Sequence, residues 1–147
     1  MKPQHLILAS RVFLGVVFLI ACVEKILFPG YFALAIFRYR ILPDMLVNPT
    51  ALALPWMEFW AALGIMFTYR FRRASAAVLL ALLAAFTAGI AFNLLRGVEI
   101  ACGCTTTSAV VDYISWGHVA RNLGYMFLAG LILKEEWVID RLSFRRY

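Results

Sequence analysis

Two of the three cysteines of this 147-residue chain lie close together, as Cys102 and Cys104, with only Gly103 between them. Glycine permits the tight backbone that a disulfide between residues i and i+2 requires. Such a small ring is strained, and strained disulfides are more oxidising and exchange more easily than structural bridges. A stabilising bridge would normally close a larger loop. The spacing therefore favours a reversible thiol–disulfide site over a structural staple.

The third cysteine, Cys22, has two possible roles. Free cysteines are usually small buried apolar residues, but this one could also act as a resolving or relay thiol for the pair. A metal site built from the three cysteines and His118 is a competing interpretation, because thiolate and imidazole are soft ligands. No Cys-x-x-Cys pair accompanies them, so the sequence favours no metal.

The elements that must position these thiols are membrane helices. The chain is 64% hydrophobic and only 15% charged, whereas soluble domains are nearer half apolar and a quarter charged. Apolar segments of about 20 residues are long enough to span a bilayer as helices. The pattern predicts an all-α membrane four-helix bundle, one integral membrane domain over residues 1–147, with the cysteine pair in loop 96–115. The predicted spans are about 6–28, 51–69, 74–95 and 116–133.

The connection after the first span is long and aromatic, and it ends near Asn48-Pro49. Either a short helix at the membrane interface or an ordinary loop fits this composition. The third span instead carries alanines at helical spacing, which suits close helix packing. They are Ala77, Ala81, Ala84 and Ala88.

Basic residues near the span ends predict the orientation. Eight Lys and Arg residues collect on the side of the two termini, and four on the other side. By the positive-inside rule both termini are cytoplasmic. The predicted location is the cell (inner) membrane, with the cysteine loop on its extracytoplasmic side, which is an oxidising compartment. The net charge of +6 is thus a topology signal, and no nucleic-acid partner is expected.

Polar residues are concentrated toward the outer ends of the spans. In the first span, polar and small residues recur at helical spacing on one face that should point into the bundle; they include Arg11, Gly15, Cys22 and Lys25. In the second, Glu58 lies seven residues after the predicted start, about 10 Å deep by helical rise. In the fourth, one face carries His118, Arg121 and Asn122.

Buried ions must be paired to be tolerated. We therefore expect Glu24 and Glu58 to pair with Lys25, Arg96 or Arg121, at the depth of the cysteines. One interpretation is that these charges tune the thiolate and manage protons, with His118 and Asn122 in support. The alternative is a salt-bridge network that only sets helix register.

The chain resembles the MauE branch of the DoxX-like membrane proteins over nearly its whole length. The resemblance rests on Arg11-x-x-x-Gly15, Glu24-Lys25, Leu54-Pro55-x-x-Glu58, Arg96-Gly97, Cys102-Gly103-Cys104 and Arg121-Asn122. The family usually continues the cysteine pair with Phe-Gly, where this chain has Thr105-Thr106. The resemblance implies a four-helix membrane bundle that assists disulfide formation or maturation of the methylamine dehydrogenase small subunit.

Three functional hypotheses follow. The first is a thiol-disulfide oxidoreductase, in which one cysteine of the pair forms a mixed disulfide with an extracytoplasmic client or a thioredoxin-like partner and the other resolves it. No cofactor is required by the residues, although a membrane quinone is one candidate electron carrier. The second is a non-enzymatic accessory subunit of a larger membrane complex. The third is metal or small-molecule handling through the outer polar cluster.

Overall fold

A computed structural model describes residues 3–68, 70–98, 100 and 113–134. Within these ranges the chain is all-helical, as predicted, with five helices. The aromatic connection after the first span forms a short helix. Of the two alternatives, a short helix or an ordinary loop, the helix is therefore correct. The five helices are α1 (Pro3–Leu27), α2 (Pro29–Tyr39), α3 (Asp44–Phe67), α4 (Arg72–Leu95) and α5 (Trp116–Leu133).

Three of these helices are long and apolar enough to cross a membrane, namely Ile7–Leu27 within α1, Asp44–Phe67 and Arg72–Leu95. Helix α5 has the bounds predicted for the fourth span, but polar residues in its first two turns make it less apolar. Many large apolar side chains of α1 and α3 are exposed on the outside of the bundle. Such a surface requires a lipid environment, so this is a membrane protein.

Helix α3 begins at Asp44, seven residues before the predicted start at 51. The prediction treated Asn48-Pro49 as a break, whereas Pro49 and Pro55 both lie inside the helix. Proline removes one backbone hydrogen bond, and a membrane helix tolerates this where neighbouring helices pack against it. Here α2 packs against α3, and Thr50 and Leu54 line a groove together with residues of α2. The early start therefore places Glu58 much deeper along its helix than the sequence suggested.

The four long helices α1, α3, α4 and α5 alternate in direction, so that each runs antiparallel to the next. Near its beginning, α1 contacts the end of α3, because Arg11 donates from Nε to the Ile65 carbonyl at 3.0 Å and from Nη2 to the Met66 carbonyl at 3.1 Å. These bonds satisfy carbonyls at the α3 C-terminus. The apolar core between α1, α3, α4 and α5 includes Leu14, Ile65 and Leu79. We call the other end, where α1 and α4 finish and α3 and α5 begin, the upper end.

In the described part of the chain, the helices do not pack on the predicted alanine face of α4. All four of its alanines are exposed, and the buried face of α4 is formed by other residues such as Leu79, Leu83 and Ile90. Helical periodicity identified one face of small residues correctly, but it could not show which face is turned toward the neighbouring helices of the same chain. None of the described helices covers the alanine face, so lipid or another protein can contact it.

The closest approach of α3 and α4 supports a stability prediction. A Cβ atom at Gly64 would collide with Oγ of Ser75 on α4. Gly64→Val should therefore destabilise the bundle by about 1–3 kcal/mol through overpacking. Gly124→Val is the matched control, because no heavy atom lies within 4 Å of the position its Cβ would take. Thermal unfolding in detergent should separate the two variants, and equal midpoints would contradict the close approach.

Candidate functional site

An ion pair between α1 and α3 lies inside the bundle. The Nζ atom of Lys25 donates to both carboxylate oxygens of Glu58, at 2.9 and 2.8 Å. The two residues are only 3% and 1% exposed. The prediction that Glu58 is paired is confirmed, and Lys25 is the partner among the three cations proposed.

Aromatic rings complete the surroundings of Lys25. Its ammonium lies 5.1 Å from the ring centroids of both Phe32 on α2 and Phe86 on α4. Cation–π attraction is strongest where the cation is removed from water. Because α2 covers the end of α1, Lys25 is buried although it lies only two residues before the last residue of that helix.

The position of Glu58 along its helix differs from the prediction, whereas its contact with Lys25 agrees with the prediction that the two residues share one level of the bundle. Glu58 lies fourteen residues after Asp44, the first residue of α3, which corresponds to about 21 Å of helical rise rather than 10 Å. The preceding residues Thr50 and Leu54 of α3 line a groove together with residues of α2. The acid therefore meets the last turn of α1 from the middle of its own helix.

Helix α5 contributes to the same site. A small cavity of about 30 Å³ is lined by Lys25, Glu58, Arg121, Asn122 and Tyr125, among others. That volume is close to the share of one water molecule. In the described part of the chain, Nε and Nη2 of Arg121 are buried without a hydrogen-bond partner. The cavity thus brings two cations, one carboxylate and an amide together, a setting suited to hold a water or to relay a proton.

Three other predicted residues lie apart from this cavity. Glu24 was expected to pair with a cation, but its Oε2 atom is buried with no hydrogen-bond partner among the described residues. It is the residue next to Lys25 and so points away from the face that meets α3. Arg96 is exposed at the end of α4, with its guanidinium 5.3 Å from the Phe92 ring. His118 is buried, and its Nδ1 shares a 2.8 Å hydrogen bond with Oγ of Ser115.

The thiols are described only in part. Cys22 is fully buried, and its Sγ donates to the Leu19 carbonyl at 3.2 Å within α1. Cys102 and Cys104 lie outside the described residues. The two described ends of their loop are joined, because the Ile114 amide donates to the Ile100 carbonyl at 2.9 Å. Within the described ranges no three His, Cys, Asp or Glu side chains cluster as a metal site would need.

Sequence reasoning missed the aromatic and tyrosine contributions to the site. Phe32, Phe86 and Tyr125 are three of many aromatic residues in this chain, and nothing in their type marks them. A weak signal existed for Phe32, because Phe32 and Ala35 are the buried residues of α2 and lie three apart. Reading the aromatic connection as an amphipathic helix would have turned that face toward the bundle.

Comparisons with known proteins identify one family. A family described as methylamine utilisation protein MauE matches residues 3–135. Methylamine utilization protein MauE of Paracoccus denitrificans is 36% identical over 122 residues, which are 82% of this chain and 64% of that protein. The protein of the same name from Methylophilus methylotrophus is 33% identical over 84% of this chain and 64% of its own length.

A third relative of that name, from Paracoccus versutus, is 37% identical over 78% of this chain and 61% of its own length. The chain thus spans a little under two thirds of the length of the curated relatives it matches. No solved structure matches the chain. The matches name MauE alone, so the wider DoxX-like grouping stays a prediction. From the family match over residues 3–135 and the identity to these relatives, the chain belongs to the MauE family.

Proposed function

We propose that this chain is a membrane thiol–disulfide redox protein that assists disulfide formation or maturation of an extracytoplasmic client in methylamine utilisation. The observation that carries the proposal is the Cys102-Gly103-Cys104 sequence in the loop between α4 and α5, in a member of the MauE family. The client we propose is the small subunit of methylamine dehydrogenase. The relatives' printed name, methylamine utilization protein MauE, supports the pathway.

The proposed chemistry is thiol–disulfide exchange. A client thiolate attacks one sulfur of the Cys102–Cys104 disulfide, the S–S bond breaks and a mixed disulfide forms. A second client thiolate then attacks the client sulfur of this mixed disulfide and displaces the cysteine of the pair. The client leaves with a disulfide, and Cys102 and Cys104 remain as two thiols. An oxidised thioredoxin-like partner restores the pair by the same steps, accepting two electrons and two protons.

The proposed membrane arrangement has four spans, with α5 as the fourth, and both termini in the cytoplasm. The excess of Lys and Arg on the terminal side supports this orientation. The upper end of the bundle then faces the extracytoplasmic space, where disulfides persist. The cavity beside Lys25 and Glu58 supports a role for Arg121 and Asn122 in proton handling during exchange, since it holds buried polar groups from three helices.

A redox titration in intact membranes tests the proposal. We expect Cys102 and Cys104 to convert together between thiols and one disulfide, at a potential above the roughly −300 mV typical of structural bridges. The readout is mass spectrometry after alkylation with a membrane-impermeant maleimide across glutathione and dithiothreitol buffers. Cys22 serves as the internal control, because its full burial should leave it unlabelled.

Three outcomes would count against the proposal. A pair that stays reduced in oxidising buffer, or that resists strong reductant, would overturn the redox role. Labelling of the pair only after the membrane is permeabilised would reverse the orientation.

The exposed alanine face of α4 favours a second candidate, an accessory subunit of a larger membrane complex. Small residues let helices approach closely, and this face is unused within the described chain. Under this alternative, the protein would co-purify with a membrane partner, and a Cys102→Ser/Cys104→Ser variant would keep full function.

A further inference from the structure

The strongest unexplained feature is a pair of adjoining grooves between α2, α3 and α4. The first has a volume of about 310 Å³ and is apolar, with Phe32 and Phe86 among its lining residues. Only Tyr39 and Thr50 bring polar side-chain atoms to its lining. This volume lies within the roughly 300–1,000 Å³ range of small-molecule sites. A groove with so few polar groups suits a hydrocarbon chain better than a ligand that needs several hydrogen bonds.

The second groove continues the first toward the upper end. It has a volume of about 540 Å³ and shares Ile41, Ala85 and Gly89 with the first. Its distinguishing residues are Arg40 and Arg96, from the end of α2 and the end of α4. Together the two grooves form one trough. The trough is apolar along the first groove and carries the two arginines at its upper end.

The two arginines are available to a ligand. Both are exposed, and within the described chain neither has a carboxylate partner. Arg96 is held over the Phe92 ring. Arg40 has a left-handed backbone with φ of 50°, which non-glycine residues rarely adopt, and its amide donates to the Phe37 carbonyl at 3.1 Å. This left-handed residue is the C-cap of α2, which is a common way for a helix to end.

We propose that this trough binds one anionic glycerophospholipid, with an acyl chain in the apolar groove and the phosphate between Arg40 and Arg96. Guanidinium groups match phosphate oxygens in geometry and charge. The inference is independent of the proposed thiol chemistry, because Cys22 lines neither groove and the argument uses neither Cys102 nor Cys104.

Native mass spectrometry of the purified full chain tests the proposal, with phosphatidylglycerol and phosphatidylcholine as probes. We expect the wild-type protein to retain phosphatidylglycerol preferentially. An Arg40→Asn/Arg96→Gln variant should bind it about thirtyfold more weakly, equivalent to about 2 kcal/mol, because both guanidinium groups that donate to the phosphate are lost. Asparagine is chosen at position 40 because it tolerates the left-handed backbone. The charge-matched control, Arg38→Gln/Arg70→Gln, removes two exposed arginines outside both grooves and should bind normally.

A second variant tests the acyl-chain groove separately. Ala85→Trp fills the region shared by both grooves from an exposed position on α4, so the fold should survive. We expect this variant to lose bound phosphatidylglycerol although both arginines remain. Equal retention of the two phospholipids, unchanged binding in the double arginine variant, or retention of ubiquinone in place of phospholipid would each overturn the proposal.

Discussion

Replacing Glu58 with leucine is expected to destabilise the protein by roughly 3–5 kcal/mol, because the ammonium of Lys25 would remain buried without its carboxylate. Both residues are almost fully buried, and Glu58 supplies both carboxylate oxygens to Nζ. Lys25→Met should cost a similar amount by leaving the carboxylate unpaired. Methionine retains apolar contact with the rings of Phe32 and Phe86.

The double variant Lys25→Met/Glu58→Leu should recover most of that loss. A buried ion pair replaced by apolar residues of similar volume is often neutral or stabilising. Unfolding by a denaturing detergent in mixed micelles would measure the four members of this double-mutant cycle. A double variant that loses as much as the two single variants combined would contradict the coupling.

Glu24→Gln is the matched control for this cycle. Glu24 is the residue before Lys25, and its Oε2 is buried without a hydrogen-bond partner in the described part of the chain. Removing its charge should therefore leave the free energy of unfolding unchanged or raise it slightly. If Glu24→Gln lowered the free energy of unfolding as much as Glu58→Leu does, the loss would not be specific to the carboxylate that pairs with Lys25.

The second large effect concerns the cysteine pair. Replacing Cys102 and Cys104 together by serine is expected to abolish disulfide formation in the client, because neither the mixed disulfide nor its resolution can occur without a sulfur atom. The measurement is the disulfide state of the methylamine dehydrogenase small subunit, together with growth on methylamine, in a host that lacks its own copy of the protein. Each single serine variant should instead trap a mixed disulfide or stop turnover.

Cys22→Ala is the matched control for the loop cysteines. Its thiol is fully buried and already donates to the Leu19 carbonyl within α1, so a packing role predicts normal client oxidation. Lost turnover with an unchanged potential of the Cys102–Cys104 pair would assign Cys22 as a relay. Full client oxidation by the double serine variant would favour the accessory-subunit alternative.

Local chemistry in the chain was sufficient to predict its class and much of its site. High apolar content, apolar runs of spanning length and helical spacing of polar residues predict membrane helices and the buried face of α1, since a charge in lipid must be turned inward. The same cost of burying a charge predicted that the carboxylate of Glu58 has a cationic partner. Family membership also followed from short motifs, because they are dispersed over residues 11–122 and match together.

Long-range packing determined the remaining features. Helix α3 continues through Pro49 because α2 packs beside it, and this contact carries no signal near the proline itself. Glu58 meets Lys25 within the bundle, whereas Arg96 does not line their cavity. The cation that pairs with a buried carboxylate depends on how far two helices are shifted relative to each other along their axes. A periodic sequence pattern identifies the buried face of a helix but not this shift. For the same reason the alanines of α4 could be grouped on one face, while the contacts among α1, α3 and α5 determined that this face lies outside.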